Sequence, residues 1–144
     1  MNDNEITVLK VLPGQIPETV TIRDTLEELQ KEVGGYIEAI YPFDDQVCII
    51  CNEEGKVRCL PLNRALVDEN GEVCDVIAGT FLVVGLAGEG FSSLSEEQLS
   101  KYREMYAKPQ LFYRQGGKLK MFSEEIVARL EAHKKDELHP EPER

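Results

Sequence analysis

The sequence predicts an α+β domain: a mixed, mostly antiparallel sheet with one early packed helix and two later helices. Three observations carry this expectation. Short segments rich in β-branched residues are separated by Gly- and Asn/Asp-bearing turns that suit hairpins. Two helical periodicities each follow a capping signature. The length of 144 residues, with 42% hydrophobic and 30% charged residues, fits a single globular core.

Residues 6–11 have the β-branched content of a strand, Pro13-Gly14 end it, and residues 18–22 alternate as a second strand, so the chain is expected to open on a hairpin. Asp24 is the expected N-cap of the first helix, with Glu27 three residues on. Leu26, Leu29 and Val33 share one face of that helix, and Gly34-Gly35 stop it. Strands are expected at 36–41, 46–51 and 56–60, the last two flanking the turn Asn52-Glu53-Glu54-Gly55, with Gly55 at positive φ. A second turn, Asp68-Glu69-Asn70-Gly71, joins strands at 65–67 and 73–76, and the apolar run 80–84 suits a central strand.

Ser95 and Gln98 form a capping box at the start of the next helix. Leu94 and Leu99 are spaced for a hydrophobic staple, and Tyr102 and Tyr106 continue the buried stripe. A hairpin is expected around Gly116-Gly117, then a last helix capped by Ser123 with Ile126, Val127 and Leu130 facing inward. Residues 1–133 therefore read as one domain and 134–144 as a charged, disordered tail.

The formal net charge of −11 is unevenly placed. Residues 1–100 hold 19 acids and 6 bases, and residues 101–144 hold 8 acids and 10 bases. An acidic body disfavours direct binding to nucleic acid or anionic lipid; it suits a basic protein partner or mimicry of nucleic acid, and composition alone favours ordinary solubility. No run approaches the ~18 apolar residues that span a bilayer. The first residues carry acids where a signal peptide would carry Lys or Arg. A cytoplasmic protein without membrane contact is the expectation.

Several motifs tempt a chemical reading. Cys48 and Cys51 form a CxxC, but Ile49 and Ile50 between them describe a buried strand, where residues three apart face opposite ways and cannot share a metal. Residues 85–92 have the glycine spacing of a phosphate loop. Phe91 stands where the Lys should be, and Glu89 would oppose a phosphate, so a flexible glycine connection is expected there. The two histidines, His133 and His139, fall in the last helix and the tail, which leaves no partner for a Ser or Cys nucleophile. A calcium loop over Asp68 and Glu69 would begin at Leu66, an apolar side chain. Neither a metal nor a cofactor is expected. Asp44, Asp45, Glu53, Glu54, Asp68 and Glu69 read as solvated turn acids and form the candidate acidic surface.

Asn63 and Arg64 sit inside the apolar stretch 60–66. Arg64 is either an anchor for an anionic ligand, with Asn63 reading a neighbouring polar edge, or the partner of a nearby carboxylate. Tyr36, Asn52 and Thr80 complete the candidate ligand-binding set.

Several stretches resemble one family. Val8-Leu9-Lys10-Val11, Thr25-Leu26-Glu27-Glu28-Leu29-Gln30, Val33-Gly34-Gly35-Tyr36-Ile37-Glu38, Asn52-Glu53-Glu54-Gly55-Lys56, Leu60-Pro61-Leu62-Asn63-Arg64-Ala65 and Ala78-Gly79-Thr80-Phe81 are similar to the pattern of domain of unknown function 3846, over about residues 5–113, with a hairpin-helix extension at 114–133. The resemblance implies a small protein of phages, plasmids or conjugative elements, with no catalytic residues to carry over. The expectation is then a non-enzymatic accessory protein that acts by binding, in counter-defence. It would occupy a host defence protein with its acidic surface, or sequester a small nucleotide. The alternatives are a carboxylate-based hydrolase, which needs two acids from among Asp44, Asp45, Glu53, Glu54, Asp68 and Asp75 converging in a cleft, and an assembly subunit. The sequence leaves the oligomeric state open.

Overall fold

The computed structural model describes residues 4–123, 128–130 and 132. Its strands are β1 Glu5–Val11, β2 Glu18–Arg23, β3 Ile37–Ile40, β4 Val47–Asn52, β5 Leu62–Val67, β6 Val73–Ala78, β7 Phe81–Ala87, β8 Gly90–Ser92, β9 Phe112–Gln115 and β10 Lys118–Met121. The helices are α1 Leu26–Val33 and α2 Glu96–Met105, and residues 128–130 and 132 are also helical. The main sheet runs β2-β1-β7-β4-β3, and β8 pairs with the far end of β7. Two further ladders, β5-β6 and β9-β10, stand beside it. Each pairing among the described strands is antiparallel. The α+β class and the opening hairpin are as the sequence predicts.

Both faces of the main sheet are covered, and the strand period of two sorts side chains between them. Val47, Ile49 and Cys51 of β4, with Phe81 and Val83 of β7, pack under α2 through Leu99, Tyr102 and Tyr106. Cys48, Ile50, Leu82 and Val84 pack on the opposite face under Leu29 and Val33 of α1. Cys48 and Cys51 therefore lie in separate cores, as their spacing in a strand requires. Burial on both faces explains why β4 and β7 read as unbroken apolar runs.

The caps decide where the helices begin. Ser95 and Gln98 make the expected capping box, with Gln98 N donating to Ser95 Oγ at 3.1 Å and Ser95 N donating to Gln98 Oε1 at 2.9 Å. Leu94 and Leu99 are both buried against that end. In α1 the N-cap is Thr25 rather than Asp24: its hydroxyl accepts from Glu28 N at 3.1 Å. The shift follows from Asp24 N still donating to the Asn4 carbonyl, which holds Asp24 in the hairpin register. Leu26, expected inside, is exposed, because it stands at the first turn, before the helix reaches the sheet.

Residues 56–60 are not a strand. Arg58 N donates to Glu54 O, Cys59 N to Lys56 O and Leu60 N to Gly55 O, so the segment coils in successive turns. Positive φ falls on Cys59, at 58°, rather than on Gly55. Gly55 is needed for a different reason: a Cβ there would stand 2.6 Å from the Ala78 carbonyl. Residues 85–92 form a tight hairpin rather than a flexible connection. Ala87 pairs with Gly90, and Gly88 turns the chain at φ 62°. The hairpin around Gly116-Gly117 spans 112–121, a little earlier than the predicted extension. Leu130 is exposed rather than inward-facing. Ile126, Val127, both histidines and the tail 134–144 lie outside the described residues.

Candidate functional site

The β5-β6 arm supplies the first wall of the site. The inner half of β6, Val76 to Ala78, is buried against the sheet, while Cys74 and Asp75 in the outer half are exposed. The arm thus leaves the core midway along its length. The Asp68 carboxylate accepts from Asn70 N and Glu72 N, each at 2.9 Å, and Gly71 adopts φ 79°, so the turn at its tip is closed by its own side chain. The β9-β10 hairpin runs alongside. Its Gly116 and Gly117 both take positive φ, as a two-residue hairpin turn demands.

Between β6 and β10 lies an open groove of about 640 Å³. Consecutive residues line it on both sides, Val73 to Val76 from β6 and Lys118 to Met121 from β10. Successive residues of a strand point to opposite faces, so a groove that meets all of them runs along strand edges. β6 is hydrogen-bonded only to β5, and β10 only to β9, among the described residues, so both edges on the groove side keep backbone donors and acceptors free of a strand partner. Glu72 and Asp75 make one wall acidic, whereas Arg114, Lys118 and Lys120 make the other basic.

A smaller cavity of about 200 Å³ adjoins Asp75 and is lined by Glu38, Asn52, Glu53, Lys56 and Cys51 among others. Glu38 of β3, Glu53 just after β4 and Asp75 of β6 line it, and the Lys56 ammonium pairs with Asp75. The Cys51 thiol on its wall is pushed up to about 11, by burial first and then by Glu38 and Asp75. Among the described residues no three His, Cys, Asp or Glu side chains gather closely enough to hold a metal ion.

The ligand-binding set predicted from sequence does not converge. Arg64 is 0% exposed, and lines neither of these cavities. Its Nε and Nη2 donate to the Tyr106 carbonyl at 3.3 and 2.9 Å, and Nη2 also donates to Gln15 O at 2.6 Å. Nη1 donates to Asn63 Oδ1 at 2.9 Å and Asn63 O at 3.3 Å. Among the described residues no carboxylate pairs with it. Carbonyl dipoles do, including the C-cap carbonyl at the negative end of α2. Asn63 is equally buried and donates to Val11 O and Gly79 O at 2.9 and 2.8 Å, joining three chain segments. Asn52 donates to Val33 O at 3.2 Å at the end of α1, and accepts from Glu54 N at 2.8 Å. Tyr36 stands out in solvent, and Thr80 lines a separate cavity with Lys31 and Arg58.

The acidic candidates also divide. Asp44 and Asp45 precede β4 while Glu53 and Glu54 follow it, so roughly 20 Å of strand separates the pairs. Asp45 is held internally: it accepts from Tyr102 Oη at 2.9 Å, from Gln98 Nε2 at 3.4 Å and from Gln46 N at 2.7 Å. Asp68 and Glu69 sit at the tip of the β5-β6 arm. The acids that line a cavity are Glu38, Glu53 and Asp75 in the smaller one, and Glu72 and Asp75 in the groove. Of these, Glu38 and Glu72 drew no attention in the sequence, and neither did the lysines of β10. The alternation Lys118-Leu119-Lys120 was the signal for a charged hairpin face, but nothing local says that this face meets an acidic strand.

A family model described as a domain of unknown function, DUF3846, matches residues 6–107. The chain belongs to that family. The match ends just after α2, so DUF3846 contributes the sheet, both described helices and the acidic wall of the groove, while the basic wall comes from the hairpin beyond it. No curated protein and no solved structure matches the chain.

Proposed function

We propose that this DUF3846 protein is a non-enzymatic accessory protein that acts by binding a host protein, and that the groove between β6 and β10 receives an extended segment of that partner. One observation carries the reading. Two strands that share no ladder with each other line a groove whose walls differ in charge. A peptide laid over the groove meets both walls, and their charge pattern sets its direction. The family's association with mobile elements makes counter-defence the setting we favour. The acidic surface that serves it is the group Glu38, Glu53, Glu72 and Asp75. Sequestration of a nucleotide is the weaker form, since Arg64, its intended anchor, is enclosed by carbonyls.

Capture from host lysate on the immobilised full chain, read by mass spectrometry for proteins and nucleotides, tests this. A captured protein should bind at least about 10-fold more weakly to Lys118→Glu/Lys120→Glu. Unchanged affinity in that variant would remove the groove from the mechanism, and a co-purifying nucleotide would restore the sequestration form. The cavity that Glu38, Glu53 and Asp75 share favours one second reading, a carboxylate-based hydrolase. It requires turnover by purified protein that Glu38→Gln or Asp75→Asn abolishes.

A further inference from the structure

The main sheet ends in two free edges, and they are built differently. The β2 edge carries Glu18, Thr19, Thr21 and Arg23, the polar content with which proteins blunt an edge. The β3 edge carries Ile37, Ala39 and Ile40 with a single charge, Glu38. Three of the most exposed large apolar side chains gather around it. Tyr36 and Tyr41, 68% and 63% exposed, flank the strand, and Val57, 84% exposed, shares a cavity wall with Ile40.

The backbone register says which groups that edge presents. Glu53 N donates to the Tyr36 carbonyl, which extends the β3-β4 ladder by one bonded pair. Bonded pairs in an antiparallel ladder recur every second residue, so Tyr36, Glu38 and Ile40 direct their backbone groups toward β4. Ile37 and Ala39 direct theirs outward, and no described strand receives them.

We infer that this edge is a self-association surface, and that a second copy of the chain pairs β3 with β3 antiparallel about a two-fold axis at Ala39. Symmetry, charge and strand extent select that register, since an axis at Ile37 or Ile40 would set three of the four β3 residues opposite residues outside the strand. A two-fold axis normal to a continuous sheet must pass through a residue, because directly opposed side chains point to the same face. An axis at Glu38 would set two carboxylates directly opposite each other, which is repulsive. The axis at Ala39 pairs the outward groups of Ala39 with those of its copy, and sets Ile37 against Tyr41 of the copy. The face shared by Ile37, Ala39 and Tyr41 becomes an apolar ladder, and each Glu38 lies opposite Ile40. The result is a continuous sheet of ten strands along the main path, ended on both sides by the polar β2. The net charge of −11 on each copy opposes the pairing, so the association is weak at low salt.

Sedimentation velocity on the full chain, up to about 1 mM protein, tests the inference together with concentration-dependent amide exchange. A dimer should form and tighten as NaCl rises from about 50 to about 500 mM. The Ile37 and Ala39 amides should become protected as it forms. Ala39→Pro removes an outward N–H that has no partner among the described residues, a place where an edge strand tolerates proline, and should weaken the dimer about 100-fold while leaving the fold intact. Tyr41→Lys, at an exposed position, should weaken it without touching the backbone, and serves if the proline variant does not fold. A chain that stays monomeric throughout, a dimer that both variants leave intact, or a dimer in which those two amides exchange freely would each overturn it. Loss of partner capture at the β6-β10 groove would leave this result unaffected.

Discussion

Arg64 shows how a residue picked out correctly can be assigned the wrong work. Its charge inside an apolar stretch marks it from sequence, but its partners are the carbonyls of Gln15, Asn63 and Tyr106, 49, 1 and 42 positions away. Burial lowers its affinity for a proton, and the five bonds hold the charge in place. Arg64→Lys should destabilise the protein by about 3 kcal/mol in urea unfolding, since one ammonium cannot satisfy a fork of carbonyls. A change below about 0.5 kcal/mol would show that the network is dispensable. Cysteine reactivity separates by the same logic of position. Cys48 and Cys51 are buried, with thiols pushed up to about 11 chiefly by desolvation, while Cys59 and Cys74 are exposed. A thiol reagent at neutral pH should label two cysteines of the native protein quickly, and the other two only after unfolding.

At the scale of the element, the sequence speaks where a local bond sets the outcome. The capping box at Ser95 and the glycine stop at Gly34, with φ 80°, need no distant partner, and both stand where the pattern places them. It speaks less well where a neighbour decides. Thr25 and Asp24 are equally good caps, and the hairpin hydrogen bond from Asp24 N chooses between them. Gly55 reads as a turn glycine, yet its need is space against β6, where the Ala78 carbonyl leaves no room for a methyl group. Gly55→Ala should therefore cost more than the usual tenths of a kcal/mol for a loop substitution, about 2 kcal/mol by thermal unfolding. Gly14→Ala, with open space around it but positive φ, should cost only about 1 kcal/mol.

For the whole molecule, the contact between α2 and the β3-β4 loop couples stability to pH. The hydrogen bond from Tyr102, ahead of those from Gln46 and Gln98 and the charge of Lys101, holds the Asp45 carboxyl below the usual carboxylate range. A depressed folded value means that this contribution is present above the unfolded carboxylate value of about 3.9 and is lost as pH falls through the folded one. Tyr102 is pushed the other way, by burial first and then by Asp45, so its contribution is intact below about pH 10 and declines above it. Tyr102→Phe should lower stability at neutral pH by about 1.5 kcal/mol and flatten the acid limb of a stability-pH profile. An unchanged acid limb would place the pH dependence in other carboxylates.

The sequence by itself determined the class of the fold, the five strands of the main sheet's path, the two capped helices and the family, because period, turn chemistry and caps act within a few residues. It also singled out Asn63 and Arg64 as unusual. Only the tertiary structure decided that these two are enclosed by backbone carbonyls, that Glu38, Glu53 and Asp75 share a cavity, and that a basic hairpin faces Glu72 and Asp75 across a groove. Those outcomes depend on which segments the sheet order brings side by side. Strand order is set by the packing of both sheet faces at once, a sum over distant residues that no local stretch of sequence contains.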